Sequence, residues 1–109
     1  MKDGRAFRIV LSTAGSEEEG ARIAKSLLER KLCACVNLVP KIRSLYRWEG
    51  AVQDDAEVLL IMKTTRENLQ PLSDHLAEIH SYDVPEVLAI AVEEGSTSYL
   101  EWLAESCAD

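Results

Sequence analysis

The sequence predicts an α+β domain in which one sheet is layered against helices, and three observations carry that expectation. The stretch from Ala34 to Thr64 alternates apolar and polar residues, breaks at Pro40, alternates again, and runs back after Trp48-Glu49-Gly50. That is the pattern of a long bent hairpin. Two other segments repeat apolar residues at helical spacing, Ile23-Ala24-Leu27-Leu28 and Leu69-Leu72-Leu76-Ile79. Strand-length apolar runs, Phe7 to Thr13 and Val87 to Val92, lie before the first helix and after the second.

Each element has its own justification. Ser16 with Glu19 makes a capping box for the first helix, and Arg30 and Lys31 at its end suit the helix dipole. In the hairpin, Cys33, Cys35, Asn37 and Val39 fall on one strand face and Ala34, Val36 and Leu38 on the other. Pro40 has no amide hydrogen and marks an edge, bulge or bend. Gly50 followed by Asp54-Asp55 supplies turn chemistry. From Val58 to Met62 both faces are largely apolar, which predicts a central strand covered on both sides. Pro71 fits only the first turn of the second helix, so regular helix starts near Glu67 or Asn68. After Gly95, Ser98 with Glu101 opens a short last helix that buries Tyr99, Trp102 and Leu103. The order is β-α-β-β-α-β plus one helix, a ferredoxin-like two-layer sandwich in a single domain spanning 1–109. The hairpin is longer than one small core can cover, and its excess edge points to an oligomer.

Composition narrows the function. The formal net charge of −7 divides into +5 over residues 1–47 and −12 over residues 48–109. The acidic half argues against nucleic acid, which needs a dense basic surface. No apolar run reaches the 18 or so residues of a membrane span. The amino-terminal segment lacks the apolar block of a signal peptide, and three cysteines make no disulfide framework. The expected compartment is the reducing cytoplasm. There is no GxSxG, P-loop or GxGxxG, and Ser12, Ser16, Cys35 and His80 are single candidates without an orienting partner. Catalysis is not expected.

ACVNLVP, SLYRWEG, EVLLIMKT and HSYDVPE, in that order and spacing, resemble the CutA family of divalent-cation-tolerance proteins. The similarity runs from about Phe7 to Leu103. Three positions depart from the family pattern: Lys41 stands where glycine is usual, Ser81 where proline commonly follows the histidine, and Asp83 where glutamate does.

The resemblance implies a homotrimer with strands continuing between subunits, and a role in the response to divalent metal ions. It also implicates thiols and a histidine in copper binding. Cys35 and His80 match those positions, and Cys33 is a further thiol that the family does not specifically support. Some members carry another cysteine where this chain has Ser12, a much poorer copper donor. From the residues alone, Cys33 and Cys35 read better as small core residues than as a chelating pair. By itself His80 reads as a helix-terminal cap, a reading the resemblance balances evenly with a metal ligand, and His75 reads as a surface residue. Tyr46 and Trp48, beside Glu49 at the hairpin's end, are the interface candidates, because interface cores favour Tyr and Trp. The alternative reading is a trimer that senses a small ligand, like PII-type signalling proteins, with a cleft near Tyr82, Asp83 and Glu86.

Overall fold

The computed structural model describes every residue from Met1 to Asp109. In chain order the elements are β1 (Lys2–Asp3), β2 (Phe7–Ala14), α1 (Glu17–Glu29), β3 (Cys35–Trp48), β4 (Ala51–Thr65), α2 (Leu69–Ile79), β5 (Leu88–Ala91), β6 (Glu94–Gly95) and α3 (Thr97–Ser106). A single 3-10 turn, Arg66–Asn68, leads into α2. The main sheet has the order β3-β4-β2-β5 with every neighbour antiparallel, and β1 pairs with β6 apart from it.

Strand alternation gives this sheet two unlike faces. Val10 and Ala14 of β2 and Leu60 and Met62 of β4 are buried against Ile23 and Leu27 of α1 and Leu72 and Leu76 of α2. Gly20 lets α1 approach closely, since a Cβ there would stand 3.2 Å from Leu38 Cδ2. Ile9, Leu11, Leu59 and Ile61 point the other way and are only half-buried. Val39, Leu88 and Ile90 line up with them across the register and are exposed. Only one end of this side is covered, where α3 packs Leu100, Leu103 and Cys107 against Phe7. The apolar alternation from Val58 to Met62 does mark a strand between two neighbours, but this chain covers one of its faces and not both.

Local signals explain most boundaries. The Ser16 hydroxyl accepts from Glu19 N at 3.1 Å and caps α1. Pro40 sits in a bulge, where the β3–β4 register shifts between Val39 and Ile42. Lys41 takes φ 61 there, a left-handed conformation that suits the glycine usual at this position. Glu49 and Gly50, both at positive φ, make the hairpin turn. Asp54 and Asp55 are therefore strand residues, and Asp54 forms a two-bond pair with Arg43 across the ladder.

Other expectations need correction. Helix α1 ends at Glu29, so Arg30 is its C-cap and Lys31 lies beyond, while Leu28 is exposed. The last helix is capped by Ser96, two residues before the expected Ser98. It buries Leu100 and Leu103 but leaves Tyr99 and Trp102 43% and 45% exposed. The run from Val87 to Val92 yields only Leu88–Ala91 as strand, an exposed edge instead of a core strand.

Candidate functional site

A polar cluster lies where the end of β2, the start of α1 and the segment after α2 meet. His80 is the C-cap of α2, and its side chain is fully buried. Its Nε2 is 2.7 Å from the Thr13 carbonyl, and Tyr82 N is 3.0 Å from its Nδ1. A carbonyl only accepts and an amide only donates, so Nε2 carries the proton and Nδ1 is bare. Both ring nitrogens are thus occupied within the chain. The Tyr82 ring packs at 4.6 Å from the imidazole, and its hydroxyl donates to Glu57 at 2.8 Å. Burial, and then that bond to a carboxylate, push the Tyr82 phenol above its ordinary range.

Glu19 ties the cluster together. Its carboxylate accepts from Ser81 N at 2.9 Å and from Gly15 N at 3.2 Å, and lies 3.9 Å from His80 Nδ1. Burial alone would raise this carboxyl's pKa, but the bonds from Ser81 and Gly15 outweigh it and leave the group below its ordinary value. The reach-back of the capping box is therefore real but lands on Gly15 instead of Ser16. Its second arm joins the start of α1 to the end of α2.

Cys33 and Cys35 do not share a face as the alternation suggested, and for Cys33 the small-core reading holds. Cys33 lies before β3 and is buried in the helix-side core with Val10, Leu27 and Met62. Burial, together with the nearby Cys107 and Cys35 thiols, pushes its pKa up to about 12, so it stays protonated. A protonated thiol is a poor metal ligand. Cys35 is on the open face, with its Sγ 3.9 Å from Lys63 Nζ and 4.0 Å from Asn37 Oδ1. Cys35 pairs with Lys63 on β4, while Thr13, which binds His80, pairs with Leu59. Those positions are about 14 Å apart at roughly 3.4 Å per residue. No three His, Cys, Asp or Glu side chains converge within the chain. Ser12 is buried with its hydroxyl unpaired.

The remaining candidates fall outside the cluster or at its rim. Trp48 and Tyr46 are 49% and 40% exposed, so α3 does not cover them. Tyr46 donates to Asp55 at 2.6 Å, and Glu49 forms the turn. Tyr82 belongs to the His80 cluster, whereas Asp83 is exposed and Glu86 half-buried. Sequence reasoning missed Glu57 and the second arm of Glu19, whose partner Ser81 is remote in the chain. It also misplaced His75, which is 7% exposed and bonds Ser26 Oγ. A signal was available, since His75 is three residues past Leu72 on the buried stripe of α2.

A two-layer α+β domain with an uncovered sheet face and a buried histidine at a helix end is the class this geometry defines. The chain belongs to the CutA family: the family model described as CutA1 divalent ion tolerance protein matches residues 8–106. A CutA protein of Arabidopsis thaliana, described as chloroplastic, is 50% identical over 90% of this chain and 54% of its own length. The chain thus spans about half the length of that relative. The divalent-cation tolerance protein CutA of Thermus thermophilus is 46% identical over 90% of this chain and 95% of its own. The crystal structure of CutA1 from Oryza sativa, 49% identical, superposes with a TM-score of 0.90 and covers 92% of both chains.

Proposed function

We propose that the protein is a non-catalytic homotrimer of ferredoxin-like subunits, located in the cytoplasm, that binds copper or another divalent ion and takes part in the response to metal ions. The observation that carries the assembly is the open face, where Leu88, Ile90 and Val39 lie exposed beside half-buried Ile9, Leu11, Leu59 and Ile61. An apolar sheet face with an unpaired edge strand is a liability in a lone subunit and an asset in an oligomer. Tyr46 and Trp48 extend the same need to the hairpin's end. The strand order supports the ferredoxin-like description. The family's description supports the metal half of the reading. Cys35 and His80 remain its candidate donors, which assembly would have to bring together from different copies of the chain and for which His80 would have to give up one of its hydrogen bonds.

The separation of Cys35 from His80 favours a second reading, a trimer that senses a small ligand and for which metal is incidental. In that reading the Tyr82–Glu57 contact and the adjacent Asp83 and Glu86 form one wall of a cleft that another subunit completes. Copper calorimetry on the parent, Cys35→Ser and His80→Ala separates the two. The metal reading expects weaker uptake in both variants than in the parent. If both variants bind as tightly as the parent, the small-ligand reading replaces it.

A further inference from the structure

We propose that His75 and Glu78, on adjacent turns of α2, form a binding site for a borderline divalent cation of the Zn2+ or Cu2+ class. The site lies in the groove between the end of α1 and α2. The groove is shallow and open, and is lined by Arg30, Leu32, Pro71, Asp74, His75 and Glu78. His75 is only 7% exposed, and its Nε2 is held 2.7 Å from Ser26 Oγ on α1. Its other nitrogen, Nδ1, is buried with no hydrogen-bond partner. Most buried polar atoms in folded proteins are paired, so this one calls for an explanation.

The distances supply it. Nδ1 lies 3.5 Å from Glu78 Oε2, beyond the roughly 2.7–3.2 Å of an N–H···O bond. Two donors each about 2.1 Å from a tetrahedral ion stand about 3.4 Å apart, so the observed gap suits a shared cation. Ligating imidazoles commonly donate their other ring N–H to a fixed partner, and Ser26 Oγ is placed to receive it. Nδ1 then presents a lone pair toward a carboxylate, a repulsion that a cation between them would reverse. Asp74 and Glu78 outweigh Arg30 in charge along the groove. Asp74 accepts from Gln70 at 2.8 Å and serves as a second-sphere anion, leaving water to complete the coordination. An imidazole selects Zn2+ or Cu2+ over Mg2+, which prefers an all-oxygen shell.

This site is separate from Cys35 and His80. Its failure leaves the assembly and the copper reading where they stand. The test is a titration of the assembled protein with Zn2+ alone, following the ring protons of its 2 histidines by NMR, with Mg2+ as control. His75→Gln identifies the His75 signals. The expected result is a saturable shift of His75 with Zn2+ and none with Mg2+. Glu78→Gln should weaken the shift about tenfold or more, and this variant should fold because the Glu78 side chain is 74% exposed. An unmoved His75 in excess Zn2+, a shift confined to His80, or parental affinity in Glu78→Gln would each overturn the proposal.

Discussion

The two faces of the main sheet are built from the same residue types and end in opposite situations. On the helix side, Val10, Leu60 and Met62 are fully buried, closed over by α1 and α2. On the other side, Leu11 and Ile61 pair directly across β2 and β4, yet both keep partial exposure, and Leu88 beside them is 58% exposed. Hydrophobic stabilisation scales with area removed from water, about 25 cal/mol per Å2. The first face therefore stabilises the fold fully, while the second leaves apolar area in contact with water. Burial also falls along β4, from the Val58–Met62 half, whose helix-facing residues are buried, to the largely exposed Ala51–Ala56 half.

Substitutions on the two sides should fail in different ways. Leu60→Ala removes side-chain volume from the closed core and should cost about 2–5 kcal/mol of subunit stability, read as a lower urea midpoint. Trp48→Ala, at the uncovered hairpin end, should cost about 2–4 kcal/mol of association and leave far-UV circular dichroism unchanged. If Trp48→Ala unfolds the subunit, or Leu60→Ala merely dissociates it, the division between the faces is wrong.

A smaller effect concerns Glu19, which fastens the helix layer at one end. Its carboxyl pKa is lowered in the folded chain, so its stabilisation is fully present above the ordinary carboxylate range. It is lost as pH falls through the depressed folded value. Glu19→Gln should cost about 1–3 kcal/mol at neutral pH, the range for losing bonds to a charged group, and should flatten the acid limb of the stability profile. An unchanged acid limb would mean that the Ser81 and Gly15 bonds add nothing to the fold.

Much of this was legible in the sequence because it depends on neighbours in the chain. Ser16 caps α1 through an amide three residues on, and Pro40 forces its bulge locally. The rest depends on what lies across the fold. Alternation carried back from Cys35 assigned Cys33 to the same face, but the strand had not yet begun and the chain turns Cys33 into the core. His75 looked solvated because its polarity outweighed its place on the stripe with Leu72 and Leu76. Glu19 was visible as a cap but not as a tie to Ser81. The apolar character of Leu59 and Ile61 was read correctly, but the chain's own helices leave their face of the sheet largely open.

Sedimentation equilibrium of the parent protein at micromolar concentration tests the central claim most directly, since it asks whether the open face is covered by further copies of the chain. The account predicts a single species with three times the 12.1 kDa mass of the chain, stable on dilution. A monomer at that concentration would contradict it, because the exposed Leu88, Ile90 and Trp48 would then face water without a partner.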